Sequence, residues 1–237
     1  MNLGEVELTM HANQSRNAVV DFENLIDEAL NSAPHHAAYR GVFKRVLDIA
    51  LVLIMALPVL PFVLVFAALV ARDGHAPFYL QRRVGRNGRV FRMWKLRTMV
   101  PNADCLLAAH LRANPLARVE WDRNQKLRND PRITPIGRLL RKTSIDELPQ
   151  LWNVLRGEMS LVGPRPMMVE QTPIYPGTAY YALRPGITGF WQTSVRNEAS
   201  FSERAKFDTA YLAELSFVTD IKVLARTVKV VWTGTGC

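Results

Sequence analysis

The stretch IALVLIMALPVLPFVLVFAALVA, Ile49–Ala71, runs for 23 residues without a charge. As a straight helix it measures about 34 Å at 1.5 Å per residue, enough for a hydrocarbon core of roughly 30 Å. Two features argue against a simple crossing. Pro58 and Pro61 sit near its middle, where each removes a backbone N–H and kinks a helix. Both flanks are basic, with Arg40, Lys44 and Arg45 before the segment and Arg72, Arg82 and Arg83 after it. Positive flanks favour the cytoplasmic side, here at both ends. A broken helix that dips in and returns satisfies both observations. Its first arm, Ile49–Leu57, reaches about 14 Å, near half the core thickness. The expected element is a re-entrant membrane helix hairpin, with a single spanning helix as the alternative. Asp48, at its mouth, is expected at headgroup depth beside Lys44 and Arg45, because a lone carboxylate at the bilayer centre costs about 2.5–3.5 kcal/mol.

Outward from the segment, the charge stays positive. The 237 residues hold 30 Lys and Arg against 21 Asp and Glu, a net charge of +9. That balance calls for a polyanionic partner: nucleic acid, an anionic membrane or phosphate substrates. Gln81–Val100 carries seven bases and no acid, interleaved with Phe91, Met93 and Trp94. Basic residues among aromatics suit single-stranded nucleic acid. Beside a membrane segment, anionic lipid headgroups and substrate phosphate explain the same pattern more simply. VGRNGRVF reads as a β-hairpin turning on Asn87-Gly88. Cys105 and Cys237 give neither a disulfide framework nor metal-ligand spacing. Before the segment, residues 1–39 read as a mobile tail with a possible short helix around Asp21–Leu30. Their acidic start and lack of an apolar core segment exclude a secretory signal.

Beyond the hairpin, Met99–Asn129 is helical with a break at Asn114-Pro115, and Arg132–Lys142 predicts an amphipathic helix suited to an interface. Two adjacent carboxylates follow, Asp146 and Glu147, between Arg132, Arg138, Arg141 and Lys142 upstream and Arg156 and Arg165 downstream. Surrounding cations favour the ionised form and also suit phosphate oxygens. Two readings of the pair stand open. Ser144-Ile145-Asp146-Glu147 fits a capping box, in which Glu147 merely satisfies a backbone N–H. Against it, Pro149 would be the fifth helical residue, and a helix from Pro149 to just before Gly157 fits better. The pair then stands in a turn at a helix start, where phosphate is also favoured. Ser200–Leu215 and Ile221–Trp232 predict two further amphipathic helices, the second basic, with Asp220 before it as a possible cap.

KTSIDELPQLWNVLRGEMSLVGPRP (142–166) resembles the core motif of the bacterial sugar transferase family, the monotopic phosphoglycosyl transferases that start glycan assembly on polyprenol phosphate. The likeness extends over roughly residues 40–232, through KRVLD (44–48), QRRVGRNGRVFRMWKLRTM (81–99), DPRITPIGRLLRKTS (130–144), RPGITGFWQ (184–192) and the Asp208–Asp220 segment. The resemblance implies Asp146 as a covalent nucleophile and Glu147 as the residue serving Mg²⁺. It also places Asp220 in the active region; Arg141 of the basic cluster, Arg165 and Arg196 beside the rigid GPRP and RPGITG frames, and Asp208 are the further residues expected around the substrates. The donor would be a UDP-sugar and the acceptor undecaprenyl phosphate, with UMP released, at the cytoplasmic face of the bacterial inner membrane.

The fold expected is an α-rich α+β chain. A tail (1–39) and a re-entrant anchor (40–73) precede a catalytic domain (74–237) with interfacial amphipathic helices and a short β-hairpin. Partners are the donor, the lipid acceptor and anionic lipids, with no nucleic acid. A non-catalytic membrane scaffold would account for the apolar run and the basic face but leaves the acid pair without purpose. A nucleic-acid-binding protein leaves Ile49–Ala71 unexplained.

Overall fold

The computed structural model describes residues 39–124, 127–194 and 201–232. The expected tail lies outside them up to residue 38, and so does Arg196. The described chain is helix-rich with two small sheets. A π turn, Tyr39–Phe43, leads into α1, Lys44–Ala71. Together they make a 33-residue run that is long and apolar enough to cross a membrane. Where the sequence suggests a break, α1 carries Pro58 and Pro61 inside one helix. Each proline forfeits one ladder bond, yet the helix continues through both. The surface of α1 is exposed and apolar: Leu53, Ile54, Leu57, Leu60 and Phe62 all stand open. Such a continuous apolar patch marks an interaction surface.

Strands β1 (Phe78–Val84) and β2 (Val90–Leu96) form a two-stranded sheet. Their turn is longer than the two residues expected. The Gly85 N–H donates to Arg89 O at 2.7 Å, so the loop proper is Arg86-Asn87-Gly88. Asn87 and Gly88 have φ of 57° and 71°, so the left-handed conformations expected of Asn-Gly are used in a wider loop. Helices α2 (Ala103–Ala113) and α3 (Pro115–Asn124) break at the expected Asn-Pro. Helix α4, Pro135–Thr143, starts later than expected: Pro135 takes the first turn and Thr134 caps it, its hydroxyl accepting from the Gly137 N–H. Helix α5 covers Gln150–Leu155, and the remaining helices are α6 (Ala179–Ala182), α7 (Phe190–Ser194), α8 (Arg204–Ala213) and α9 (Phe217–Trp232). Short strands β3 (Ser160–Val162) and β4 (Gly186–Thr188) pair in parallel, Ser160 opposite Gly186 and Val162 opposite Thr188.

By contacts the chain divides into two units. One takes the chain through Ile54, then Gln81–Met93 and Gln150–Lys229. Here Lys44 of α1 donates to Asp220 Oδ2 at 2.6 Å, and Asp48 Oδ1 accepts from the Leu161 N–H at 3.0 Å. Of the two bases expected beside Asp48, Lys44 acts on its carboxylate, whereas Arg45 turns elsewhere. Arg45 instead donates to the carbonyls of Val154 and Leu155, capping the end of α5. Tyr180 ties the hairpin to the GPRP loop, donating to Val84 O and accepting from the Met167 N–H. It sits in a core with Val84, Met167, Tyr175 and Tyr181. Glycines 163 and 186 cross so closely that a Cβ on Gly186 would lie 2.1 Å from Gly163 N. Side chains are excluded at that crossing.

The other unit takes Met55–Leu80, Trp94–Pro149 and the chain end. Ala67 and Val70 of α1 pack with Leu96 of β2 and Leu140 of α4. Burying side chains of this kind stabilises by roughly 1.5–3 kcal/mol for each large one. This core fixes the end of α4, and with it the turn that carries the acid pair.

Candidate active site

Beyond β2 the chain runs extended, and Thr98 O accepts from the Thr134 N–H at 3.1 Å while Val100 N–H donates to Arg132 O at 2.8 Å. α4 therefore starts against Thr98. A Cβ on Gly137 would meet Thr98 O at 2.0 Å, which explains glycine in PIGRLL. At its other end α4 closes on Ser144, in the left-handed conformation with φ 57°. Ser144 is thus a helix C-cap rather than the N-cap that a capping box requires, and its side chain makes no cap. A 3-10 turn, Ile145–Glu147, presents the two carboxylates ahead of α5.

Asp146 is buried at 8% exposure, whereas Glu147 is partly open and accepts from Lys95 Nζ at 2.9 Å. Burial pushes the Asp146 carboxyl up to about 6. Lys95 pulls it down, Glu147 pushes it up, and Arg141 pulls it down. The sequence suggests a carboxylate held firmly ionised by guanidinium groups; here desolvation outweighs the cations. Arg141 is itself held, its Nε donating to Thr98 Oγ1 at 2.9 Å. The wider basic cluster sorts differently. Arg132 is spent on Asp130 in a two-toothed pair, 2.9 and 2.7 Å, and stacks on Trp121. Arg138 and Lys142 face solvent, and Arg156 lies 3.4 Å from Glu158. Lys95, read from sequence only as part of a basic run, is the cation that contacts the acid pair, bonding to Glu147 and acting on Asp146 more strongly than Arg141 does. Its place near the end of an alternating strand is the only signal that singles it out.

The remaining expected residues lie in the first unit. Asp220 is buried and accepts from Lys44 and Tyr39 through Oδ2 and from Tyr211 through Oδ1, at 2.6, 2.8 and 2.6 Å. It stands in the first turn of α9, where Ser216 does the capping by accepting from the Thr219 N–H. Asp208 is buried on α8, accepts from Tyr175 at 2.5 Å and is pushed up to about 7 by burial. Arg165 stands over the ring of Trp191. The structure thus gathers Asp146, Glu147, Arg141 and Lys95 at one turn. A desolvated carboxylate beside two cations can attack a phosphorus centre, and the cations can bind the oxygens around it.

A profile described as bacterial sugar transferase matches residues 39–234. The chain is 47% identical over 203 residues to the UDP-galactose-lipid carrier transferase of Erwinia amylovora, covering 85% of this chain and 42% of that protein. It is 42% identical over 194 residues to the exopolysaccharide production protein ExoY of Sinorhizobium fredii, covering 81% of this chain and 86% of that protein. The undecaprenyl-phosphate galactose phosphotransferase of Salmonella typhimurium is 44% identical over 190 residues, which cover 79% of this chain and 40% of that one. The chain thus spans about two fifths of two of these relatives and most of the third. A profile match over that length, with relatives at this identity, places the chain in the bacterial sugar transferase family.

Proposed function

We propose that the chain is a phosphoglycosyl transferase, moving hexose-1-phosphate from a UDP-sugar to undecaprenyl phosphate and releasing UMP. It would act at the cytoplasmic face of the bacterial inner membrane, as the first membrane step of exopolysaccharide biosynthesis. The observation that carries the reading is Asp146, a carboxylate desolvated beside Lys95 and Arg141 on a turn that no cap explains. An Asp146 oxygen attacks the sugar-bearing phosphorus. The bond from that phosphorus to the oxygen of UMP breaks, and UMP leaves with the electron pair. A phosphosugar-aspartyl intermediate, an acyl phosphate, remains. An oxygen of the lipid phosphate then attacks the same phosphorus, and the Asp146 carboxylate is released unchanged. Arg141 and Lys95 hold phosphoryl oxygens, and Arg165 and Arg196 serve the substrates.

The acid pair fits Mg²⁺ by donor chemistry. That ion takes one or two carboxylates and completes its shell with water and phosphate oxygens. Among the described residues no group of three or more His, Cys, Asp or Glu gathers, so a cage built wholly from protein is absent there. Glu147 would hold the ion, which when bound neutralises diphosphate charge.

A lipid acceptor is fixed at headgroup depth, so the nucleophile has to be held there. A re-entrant α1, with both ends on the cytoplasmic side, would do this; the basic flanks at both ends support it, and the bend it needs would fall at Pro58 and Pro61, which lie inside one helix. Cysteines placed near residues 40 and 78 should both label from the cytoplasm only; labelling from opposite faces refutes the topology. The activity itself is tested by supplying a panel of UDP-sugars with undecaprenyl phosphate. UMP is the expected product, whereas UDP would indicate an ordinary glycosyltransferase and no nucleotide release a scaffold.

A further inference from the structure

A second set of cations gathers in the first unit, around Trp191 of α7. The guanidinium carbon of Arg165 lies 5.6 Å from the ring centroid, and that of Arg204 lies 4.3 Å from it. Arg204 also stacks on Phe201 at 4.9 Å. Both arginines are held by built elements. Arg204 opens α8, and Arg165 belongs to the GPRP loop, whose Gly163 N–H donates to Thr188 O at 2.9 Å. Arg83 is a third cation acting on Arg204, against one acid, Asp208, whose Oδ2 already takes the Tyr175 hydroxyl.

Two guanidinium groups over one indole ring repel each other, and burial adds to the cost. Burial first, then Arg165, brings Arg204 down to about 10. Trp191 and Gln192 are only 8% and 3% exposed, yet among the described residues three donors here, the Trp191 indole N–H, the Gln192 amide N–H and Arg204 Nε, have no hydrogen-bond partner, and neither has the Gln192 Oε1 acceptor. Native interiors leave few such groups unsatisfied, so several on neighbouring residues call for an explanation. A phosphate group supplies what is missing, negative charge and acceptor oxygens, and a guanidinium plane steadied on an aromatic ring binds it through two N–H groups.

We propose that Arg204, stacked on Trp191 beside Arg165, forms a phosphate-binding site for one of the two phosphorylated substrates, an inference that rests on the transferase reading. Arg165 is expected from its place in the rigid GPRP frame; Arg204 is assigned by the structure. Its place at the start of an amphipathic helix reads in sequence as an ordinary solvated position.

The test uses the full chain in lipid nanodiscs. Initial rates are measured against UDP-sugar and, separately, against undecaprenyl phosphate, for wild type, Arg204→Gln and Arg204→Lys. Loss of the fork should raise one KM roughly 10- to 100-fold with the melting temperature nearly unchanged. Lysine should recover part of it, since it restores the charge but not the planar fork. A raised KM for the UDP-sugar assigns the site to the donor diphosphate, and a raised KM for the lipid assigns it to the acceptor phosphate. If both KM values hold while kcat falls in step with a lowered melting temperature, Arg204 only packs the aromatic rings and the inference is wrong. Calorimetric titration with inorganic pyrophosphate decides the matter without turnover: binding should weaken at least tenfold in Arg204→Gln, and equal binding overturns the site. If wild type releases no UMP from any UDP-sugar, the transferase reading fails, while the pyrophosphate comparison still decides the site.

Discussion

Replacing Asp146 with Asn should make the protein more stable above pH 6 while abolishing turnover. Asp146 is 8% exposed and its carboxyl is pushed from 3.8 to about 6, chiefly by burial. The folded chain therefore holds this proton more tightly than the unfolded chain. The stability tied to it is complete below about pH 4 and is lost as the pH rises through 6. A difference of about 2 pH units, at about 1.4 kcal/mol each, amounts to about 3 kcal/mol, an upper figure for what the ionised carboxylate costs the fold at pH 8. Asparagine cannot ionise and escapes that cost. For a chain of this size, 1 kcal/mol moves the melting temperature by about 2–4 °C, so the variant should melt several degrees higher at pH 8. At pH 4 the two should nearly coincide. The assay is a thermal melt of both proteins in the same nanodiscs across pH 4–8. A variant that melts lower than wild type at pH 8, or a difference independent of pH, would refute the reasoning. A capping role predicts that opposite sign, a loss of about 0.5–2 kcal/mol.

Lys95 is the strongest of the cations acting on Asp146, so Lys95→Met should raise that carboxyl further and move the acidic limb of the kcat/KM profile to higher pH; an unmoved limb contradicts the placement. Gly137→Ala drives a Cβ to 2.0 Å from Thr98 O, both atoms fixed by backbone, and should cost about 1–3 kcal/mol or more in chemical denaturation; a cost below about 0.5 kcal/mol would show that α4 can shift freely. Asp220→Asn leaves the Lys44 ammonium buried opposite a neutral amide, with an expected loss of about 3–5 kcal/mol. Adding Lys44→Met should return much of that stability, and a double variant no better than the single one would argue against the pair as the source.

The helical framework is legible wherever punctuation is strong. Asn114-Pro115 separates α2 from α3, Pro135 opens α4, and Pro149 with Gly157 brackets α5. Strands β3 and β4 escape notice because three residues are too few to show alternation, and their pairing rests on a Gly163–Gly186 crossing between distant segments. Site residues divide along the same line. Asp146 and Glu147 stand out as adjacent acids among bases, and Pro149 counts against the capping box that Ser144 suggests. What the sequence does not reveal is which cation is spent elsewhere: Arg132 goes to Asp130, whereas Lys95 crosses to Glu147 from a strand 52 residues away. Nor does it reveal that burial outweighs neighbouring charge at Asp146, since desolvation depends on the whole packed turn. Asp48 shows the same limit: beside the expected Lys44, its carboxylate turns inward to accept from the Leu161 N–H, 113 residues away.

The central claim is that Asp146 becomes covalently bonded to phosphorus. It is tested most directly by intact-protein mass spectrometry after brief exposure to UDP-sugar and Mg²⁺ with no lipid acceptor. Wild type should gain the mass of one hexose phosphate and release an equal amount of UMP, and Asp146→Asn, shown folded by its melt, should gain nothing. Adduct on the Asn variant, or UMP formed only when undecaprenyl phosphate is present and never with a trapped intermediate, would contradict the account.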